Sequence, residues 1–503
     1  MQVVWFKRDL RLGDHRPLTE AVKQGGPVLL LYVMEPSIWQ AGDLSKRHAR
    51  FVYESLSELQ QEVRKIGGEL YTAVGEMEPI LEFIYQAAGA FSLYAHEEHG
   101  TPHTFSRDRS VRKWMKTRQL GFYEYPPFGV TRGLGKRSDF PERWKNFMQQ
   151  SILPVPGRLP PPSPNQLPGN VKASLSPLTR VEVPGELLRY GQEGGMSQAD
   201  AALDSFLNSR FVHYQKHISK PLASSTSCSR LSPYLAWGNI SLRSVYQQTL
   251  HRRSSASSYE SSQLDQFLSR LHWHCHFIQR LEDEPRLALE NMNRAFDSVR
   301  TAWDEELYQK WLTGTTGIPL IDASMRSLHR TGWINFRSRA MLVSFVCNTL
   351  LLDWKRPADD LAKLFLDYEP GIHFSQMQMQ AGTTGFNTIR IYNPVKQGKD
   401  HDPEGRFIRR YVKELEHVSD TFIHEPWKDP AFFYSSYPGP VVDVLKANRR
   451  AREVLWSVKQ SEEGEKQTEK QFAKHSVRRT ENRKKRDKPA FKQLSLFEED
   501  DFS

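Results

Sequence analysis

PVLLLYV (residues 27–33), KRHARFVYESLSELQQEVRKIG (46–67) and ELYTAV (69–74) decide the predicted fold of the first part of the chain. The first and third stretches are short, apolar and rich in Val, Leu and Tyr, which indicates buried strands. The stretch between them repeats apolar residues at helical spacing and stops at a glycine, which indicates a helix. VVWF (3–6) and SLYA (92–95) are further strands of the same kind. Alternation of strands and helices predicts an α/β fold with a doubly wound, Rossmann-like parallel sheet.

Beyond this sheet the composition changes three times along the chain. Residues 1–130 form the predicted α/β domain, and no GxGxxG follows its first strand, so a dinucleotide pyrophosphate site is not expected there. Residues 131–197 are predicted to be an extended, solvent-exposed linker, because seven prolines fall within 154–168. Apolar stripes at helical spacing predict an all-α domain over 198–445. Residues 446–503 lose aromatic content and gain charge, which predicts a disordered basic tail.

The composition limits the classes of protein that the chain can represent. It has 503 residues, of which 38% are hydrophobic and 12 are Trp, enough for two or three cores. The net charge is +10, and residues 470–490, with nine Lys or Arg and two acids, supply +7 of it. This excess indicates a polyanionic partner or, equally, a tail kept soluble by its charge.

Cysteine usage and hydropathy exclude several kinds of protein. The three cysteines, Cys228, Cys275 and Cys347, are widely spaced and support neither a disulfide framework nor a metal site. The N-terminus is charged within seven residues, and no stretch of eighteen apolar residues occurs. These features predict a soluble, cytoplasmic protein with no metal and no membrane contact.

Hydroxyl and charged side chains gather at three places in the helical part. STSCSRLSPYLAWGNIS (225–241) places hydroxyls before an apolar helix pattern, which suits a phosphate, although ordinary helix capping alone explains them better. FLDYEP supplies Asp367 and Glu369, and NFRSRAML supplies Arg337 and Arg339. Charged residues among apolar ones are usually mutual ion pairs, so these four alone indicate no function.

Four blocks together carry a family resemblance. They are VVWFKRDLRLGDHRPL (3–18), TSCSRLSPYLAWGNIS (226–241), TGIPLIDASMRSLHRTGWI (316–334) and RIYNPVKQGKDHDPEGRFIRRYVKEL (390–415). In this order they resemble the photolyase/cryptochrome family, and the likeness runs from residue 2 to about 445. The resemblance implies FAD in a U shape within the helical domain. It also implies an antenna pigment in the α/β domain, which would be folate, deazaflavin or none.

The resemblance further implies which side chains contact FAD. Arg339 would pair with Asp367 beside the flavin ring, Glu369 would accept a hydrogen bond from N3–H, and His373 would face N5. Because histidine titrates near neutral pH, we expect the redox properties of the flavin to depend on pH. The other residues implied to contact the cofactor are Tyr214, Ser227, Ser229, Arg230, Leu231, Ser232, Phe267, Arg270, Trp333 and Tyr368.

The predicted lesion pocket departs from that of the repair-type members. Trp273 and Arg337 match them and, with Phe336, are implied to contact DNA. Arg270 replaces a glutamate that meets the lesion, Phe336 replaces an asparagine, and MQM (377–379) replaces WQW. A guanidinium donates hydrogen bonds but accepts none. Arg270 is therefore able to contact thymine O4 but not N3–H, or to pair with a flavin phosphate.

Electron supply to the flavin is changed as well. The family commonly uses three tryptophans that lead to the surface. Trp354 matches the middle one, Met377 replaces the inner one, and Thr301 falls at the outer one. A different route is expected, through one of three tryptophans in the helical domain: Trp273, Trp333 or Trp303. The residues to which we assign the chemistry are Trp354, Trp273 and His373.

The end of the chain adds a second motif. QLSLF, Gln493-Leu494-Ser495-Leu496-Phe497, matches the peptide by which bacterial replication and repair proteins dock on the sliding clamp. A chance terminal cluster is the alternative. A light sensor has no obvious need for the clamp, so this motif favours DNA repair.

The predicted function is light-driven, FAD-dependent repair of pyrimidine dimers in DNA, performed by a carbon–carbon lyase on a flipped, damaged dinucleotide. A blue-light receptor that binds FAD without repair is the alternative of another class. Repair of the (6-4) lesion ranks last, because Ile334 and Asn335 follow Trp333 where a histidine pair is characteristic.

Overall fold

A parallel sheet forms the centre of the N-terminal half in this computed structural model, which describes residues 1–475. The strands are β1 (Gln2–Phe6), β2 (Val28–Met34), β3 (Leu70–Val74), β4 (Ser92–His96) and β5 (Phe122–Tyr125). Their order is β3-β2-β1-β4-β5. The four strands expected from the sequence are confirmed. The sequence pattern did not reveal β5, because its residues FYEY are mostly half-buried and lack an apolar run.

The strand order places a crevice at one end of the sheet. Val4 of β1 pairs with Leu30 of β2 on one side and with Tyr94 of β4 on the other. The chain therefore continues from β1 toward one edge and returns through β4 toward the other. The carboxyl ends of β1 and β4 form a topological switch point, where open α/β sheets bind ligands.

Six α-helices accompany the sheet. They are α1 (Arg16–Lys23), α2 (Pro36–Trp39), α3 (Lys46–Lys65), α4 (Met77–Ala88), α5 (Pro102–Thr117) and α6 (Phe140–Met148). The helix predicted at 46–67 is α3. At its start the N–H of Ser45 donates to Nδ1 of His48 at 3.0 Å, and Gly67 follows its end with a φ of 77° that favours glycine.

The segment 131–197 is only partly the exposed linker that its prolines predicted, because most of its residues are exposed but some of them pack on the sheet. It contains α6, and Leu159 within it is fully buried. The carbonyl of Pro160 accepts from Val28 N at 2.8 Å, and Lys172 pairs with Thr72 at the edge of β3. The prolines stiffen this segment, while the apolar residues between them cover the sheet.

The C-terminal half is helical, as the sequence predicted. Its helices are α7 (Met196–Asn208), α8 (Tyr214–His217), α9 (Ser224–Ser227), α10 (Ser232–Ala236), α11 (Leu242–Ser254), α12 (Ser258–Asp283), α13 (Glu305–Thr313), α14 (Pro319–Thr331), α15 (Phe336–Ser344), α16 (Lys355–Leu364), α17 (Pro370–Ala381), α18 (Pro394–His401), α19 (Arg406–Tyr411), α20 (Val444–Lys459) and α21 (Glu462–His475). The longest is α12, which packs along α17. A π-helical turn at Phe345–Thr349 continues α15.

The prediction that order ends at residue 445 is wrong, because α20 and α21 pack on the helical half. Ala451 and Leu455 of α20 are fully buried. From α21, Gln471 donates to Met292 O at 2.7 Å, and His475 Nε2 lies 2.9 Å from Glu284 Oε2. The sequence did not reveal these contacts, because the high charge of the segment is typical of disordered chains. Residues 476–503, including the predicted clamp motif Gln493–Phe497, lie outside the described residues.

Buried polar contacts hold the two halves together. Arg243 and Ser241 of the helical half both bond to the carboxylate of Asp14 in the loop after β1, with Arg243 Nε donating at 3.1 Å. Leu10 N donates to Trp237 O at 3.1 Å. These contacts fix the carboxyl end of β1 against the helical half. Among residues 1–475, none of the helices is long and apolar enough to cross a membrane.

Candidate functional site

A partly buried ion pair joins α15 to the chain just before α17. Arg339 Nη2 donates to Asp367 Oδ2 at 2.7 Å, and Arg339 Nε donates to Ile334 O at 3.0 Å. The guanidinium lies 4.1 Å from the ring centroid of Phe365. The other oxygen of Asp367, Oδ1, is buried and finds no hydrogen-bond partner among the described residues. The arrangement offers a fixed cation and a spare acceptor side by side.

The serine-rich segment forms the turn between α9 and α10. Arg210 donates to the carbonyls of Cys228 and Ser229, the latter at 3.1 Å, which holds the carbonyl side of this turn. Arg230 has a φ of 63°, a conformation that residues with side chains adopt where their surroundings impose it. Its guanidinium lies 3.9 Å from the ring centroid of Trp333, and burial lowers its pKa to about 10.

A second buried guanidinium lies on α12. Arg270 contacts Tyr214, and its charge lies 5.2 Å from the ring centroid of Phe336. Burial lowers the pKa of Arg270, and its Nε has no hydrogen-bond partner among the described residues. Tyr214 is buried with its ring 5.9 Å from that of Phe267. The predicted residues of α8, α12 and the α9–α10 turn therefore converge on one place.

These groups fit a flavin dinucleotide. A diphosphate needs cationic and hydroxyl donors, and Arg230, Arg270 and the serine turn supply them. The ring N3–H needs an acceptor beside a cation, and the spare oxygen of Asp367 next to Arg339 has that character. Buried polar atoms without partners are uncommon in native proteins and call for a group that completes them.

His373 does not behave as its sequence context suggested. Burial lowers its pKa to about 4, and its Nε2 lies 2.9 Å from Ala358 O, so Nε2 carries the hydrogen and Nδ1 is left as an acceptor. The ring lies among aromatic neighbours, 5.2 Å from that of Tyr368 and 5.3 Å from that of Phe374. A His373 that stays uncharged near neutrality does not support the pH dependence expected from its sequence context, which remains a prediction.

Tyr368 and Glu369, grouped with the flavin contacts from the sequence, line cavities toward the N-terminal half. Tyr368 donates its hydroxyl hydrogen to Asp43 Oδ2 at 2.9 Å, and its carbonyl accepts from Arg8. The cavity that it lines lies at the carboxyl ends of β1 and β2 and encloses about 660 Å³ of empty space, open solvent included. The aromatic residues that line this antenna-side cavity are Trp5, Phe6, Tyr32, Trp39, Trp237 and Tyr368.

Glu369 lines a smaller polar cavity of about 420 Å³ beside the first one. Arg8 lines both cavities. Burial raises the pKa of Glu369, and the charge of Arg8 opposes that rise. Its carboxyl group therefore holds a proton more readily than an exposed glutamate does.

Aromatic rings and guanidinium groups lie along the second half of α12 and at the start of α15. The Trp273 ring is stacked 5.6 Å from that of Phe277, and Arg280 lies 5.6 Å from the same Phe277 ring. Arg337 lies 5.6 Å from the ring of Phe336, on α15. Phe277 and Arg280 are buried, whereas Trp273, Phe336 and Arg337 are partly exposed. Partly exposed aromatic rings and guanidinium groups suit nucleic acid, because bases stack on aromatic rings and guanidinium groups bind phosphates.

The predicted electron-transfer chain has an aromatic ring at only one of its three positions. Trp354 is fully buried, its Nε1 donates to Asn291 Oδ1 at 2.7 Å, and its ring is 6.5 Å from that of Phe374. Met377 is buried, whereas Thr301 is exposed. The outer tryptophan position therefore holds no aromatic ring.

Sequence reasoning missed a buried polar cluster at the switch point. The signal that could have revealed it is the set of polar residues directly after β1 and at the end of β4. His15 Nε2 and His96 Nδ1 lie 2.9 and 2.7 Å from Asp9 Oδ2. Burial lowers the pKa of His15, and Leu18 N donates to its Nδ1 at 3.2 Å, so the ring hydrogen is on Nε2 and points at Asp9. No lone pair of His15 is free for a cation. The cluster is a hydrogen-bond network that fixes the loop after β1.

Comparison with known proteins agrees with this geometry. The family model described as DNA photolyase matches residues 2–126, and that described as the FAD binding domain of DNA photolyase matches residues 267–457. The deoxyribodipyrimidine photo-lyase of Vibrio cholerae is 30% identical, over 90% of this chain and 98% of that protein. Cryptochrome-2 of Arabidopsis thaliana is 29% identical, over 90% of this chain and 78% of that protein.

A solved structure has the same fold. The archaeal photolyase from Sulfolobus tokodaii, described with two FAD molecules, superimposes with a TM-score of 0.76 at 26% identity, over 91% of this chain and 100% of that one. The chain therefore belongs to the photolyase/cryptochrome family and carries that family's FAD-binding domain.

Proposed function

We propose that the protein is a light-driven DNA repair enzyme, a carbon–carbon lyase that splits pyrimidine dimers. The observation that carries the proposal is the position of Trp273 on α12. The same helix carries Phe267 and Arg270 on its flavin side, so a base stacked on Trp273 lies next to the cofactor. A sensor of light alone needs no stacking surface at that place.

FAD, when bound and reduced, supplies an electron to the lesion under light and takes it back after the ring opens. The Arg339 guanidinium stabilises negative charge on the flavin side, and Asp367 orients that guanidinium. Arg230 and Arg270 neutralise the diphosphate, and uncharged His373 presents Nδ1 as an acceptor. Glu369 keeps a buried carboxyl in the cavity toward the N-terminal half.

The lesion side is formed by other side chains. An enzyme that acts on bases in a duplex takes them out of the stack and rebuilds stacking inside its own site. Trp273 supplies the stacking wall, Phe336 forms the opposite edge, and Arg337 holds the flanking phosphates. Aromatic stacking contributes about 1–3 kcal/mol per base, enough to offset much of the unstacking.

A blue-light receptor without repair is the second candidate, and Arg270 is the observation that favours it. Repair-type members place a glutamate there, and a guanidinium is unable to accept the N3–H hydrogen bonds of a dimer. The buried guanidinium of Arg270, next to Tyr214, is also consistent with a purely cofactor-binding role.

Illumination of the reduced protein with a dimer-containing oligonucleotide separates the two candidates. We expect recovery of thymine absorbance in light, and binding weakened about 5- to 150-fold in Trp273→Ala, the loss of one stacked base. Trp456→Ala on α20 is the matched control, since that side chain is 38% exposed and lies on another surface. Intact flavin photochemistry without any absorbance recovery would contradict repair and favour the receptor.

The antenna-side cavity supports the proposal that a light-harvesting pigment binds in the N-terminal half. Trp39 and Trp237 are stacked with their rings 6.1 Å apart at its wall, and Arg8 lies 4.4 Å from the Trp237 ring. Aromatic walls with a cation suit a planar, polar ring system. Folate and deazaflavin both have that character, and the lining residues do not choose between them.

We also propose that Gln493–Phe497 docks the enzyme on a sliding clamp. The support is the sequence match and its place after a basic run, since an extended peptide uses alternate side chains to fill apolar pockets. We expect purified clamp to retain the full chain but not the double variant Leu496→Ala, Phe497→Ala. Equal retention of the two proteins would contradict the assignment, and Leu494→Ile serves as the conservative control.

A further inference from the structure

A redox-capable cluster lies outside the flavin site, between α13 and α16. Its centre is Tyr308, which is fully buried and donates its hydroxyl hydrogen to Asp360 Oδ2. The ring of Trp303 lies 4.8 Å from that of Tyr308 and is 39% exposed to solvent. None of these three residues has a part in the flavin site or the DNA face.

The phenol of Tyr308 is arranged to lose its proton only on oxidation. Burial, and then the hydrogen bond and charge of Asp360, raise the pKa of Tyr308 well above its ordinary value, so it stays protonated in the resting protein. An oxidised phenol is a strong acid and needs a base in contact with its oxygen. The Asp360 carboxylate is that base, and its other oxygen accepts from Lys363 Nζ at 2.9 Å.

Charge around the rings is balanced. The Arg356 guanidinium lies 4.5 Å from the Tyr308 ring and 5.2 Å from the Trp303 ring. An unpaired cation there would make both rings harder to oxidise. Glu305 binds that guanidinium through both oxygens, at 2.6 and 2.9 Å, and accepts from Trp303 Nε1 at 2.8 Å. The carboxylate offsets the positive charge on both rings.

The cluster lies beside the buried Trp354. Trp354 directly precedes α16, and its carbonyl accepts from Ala358 N at 2.8 Å. Arg356 and Asp360, which both contact Tyr308, stand one turn apart on that helix. Since a helix rises about 1.5 Å per residue, the stretch from Trp354 to Asp360 is about 9 Å long. Tyr308 contacts both Arg356 and Asp360 and therefore lies alongside this stretch of α16, which begins next to Trp354.

We propose that Trp303 and Tyr308 form the surface end of the route that supplies electrons to the flavin, with Asp360 as the proton acceptor. This inference rests on the light-driven flavin chemistry proposed above. It gives a function to aromatic residues that replace the missing ring at Thr301. Tyr308 and Trp303 act on the flavin only through Trp354, so they are relay residues rather than catalytic ones.

The electron and proton balance is complete. One electron passes from Trp354 to the photoexcited oxidised flavin, and one electron passes from Tyr308 to Trp354. The O–H bond of Tyr308 breaks, and its proton forms a new O–H bond on Asp360, which leaves a neutral phenoxyl radical. A soluble thiolate then gives one electron through Trp303 and is left as a thiyl radical, and the proton goes back from Asp360 to the Tyr308 oxygen. The net reaction moves one electron from thiol to flavin.

Electron paramagnetic resonance on frozen, illuminated, FAD-loaded protein tests the proposal. We expect a neutral tyrosyl signal in the wild type and its loss in Tyr308→Phe, which keeps the ring but removes the hydroxyl. Asp360→Asn is expected to remove the same signal, because the amide is no base. Tyr125→Phe, in β5 of the other half, is the matched control and should keep the signal.

Two outcomes would overturn the inference: a tyrosyl signal that persists in Tyr308→Phe, or no tyrosyl signal in the wild type. Should a variant fail to fold, the wild type alone decides, because formation of the Tyr308 radical must slow in D2O and an unaffected rate contradicts proton transfer to Asp360. The readout needs no DNA. A protein that forms this radical but repairs no dimer would sink the proposed function and leave the relay intact.

Discussion

Acidification from pH 7 to pH 5 is expected to lower the free energy of unfolding steeply, by about 2 kcal/mol for each histidine that is buried in its neutral form. An unfolded histidine binds a proton below about pH 6.5, whereas these folded ones resist it. Six of them have pKa values lowered by burial to about 3 or about 4: His48, His96, His272, His274, His373 and His475. The unfolded state therefore takes up more protons, and stability present above pH 6.5 is lost as the pH falls.

Buried carboxyl groups oppose part of this loss. Burial raises the pKa of Glu35, Glu97 and Glu369, so these groups favour the folded state as the pH falls. Six histidines at about 2 kcal/mol each sum to about 12 kcal/mol, which is comparable to a typical stability of about 5–15 kcal/mol, so the net change remains large and unfavourable. Urea unfolding at pH 7, 6 and 5 measures this change in the free energy of unfolding. In His274→Gln the slope of that free energy against pH should fall by the equivalent of one proton. A free energy of unfolding that is constant over this range would contradict the burial of neutral histidines.

Arg339→Ala is expected to yield protein without FAD and to destabilise the fold by about 3 kcal/mol, the effect of leaving one partner of a buried pair alone. The reason is that the Asp367 side chain, 4% exposed, loses the guanidinium that pairs with it. The flavin side loses its only fixed cation within hydrogen-bond distance of Asp367 among the described residues. Flavin absorbance per mole of purified protein and thermal unfolding measure both effects.

Two further variants separate charge from geometry at this pair. Arg339→Lys keeps the charge but is unable to bridge Ile334 O and Asp367 as the guanidinium does, so weaker FAD retention is expected. The double variant Arg339→Ala, Asp367→Ala should regain stability but not flavin, because the uncompensated charge is gone. FAD retained at the wild-type level in Arg339→Ala would contradict the assignment of this pair.

The regular elements followed from the sequence wherever one residue pattern determines them. β2 is buried along its whole length and reads as a continuous apolar run, and α3 combines helical spacing with a glycine stop. The pattern failed where order comes from tertiary contacts. α21 reads as a charged, solvated segment, yet Gln471 and His475 find buried partners on the body. The composition of such a segment shows its charge but not the surface of the protein on which it packs.

The site followed from the sequence less completely. Motif matching located Arg339 and Asp367, because their spacing survives in the family blocks. It grouped Tyr368 with the flavin contacts, although the turn at Leu366 and Asp367 sends the side chains of Asp367 and Tyr368 to different places. Asp367 faces Arg339, while Tyr368 faces the antenna-side cavity. The pKa of His373 depends on burial by Phe365, Tyr368 and Phe374, which no local pattern contains.

The cofactor content of the purified protein tests the central claim most directly. Protein produced in the dark and incubated with excess FAD is gel-filtered, and its flavin absorbance is compared with its protein absorbance. We predict stoichiometric FAD that is released only on unfolding and that bleaches under blue light with a thiol present. A colourless protein that remains so after this incubation would contradict a flavin between α12, α15 and α17, and with it light-driven electron transfer.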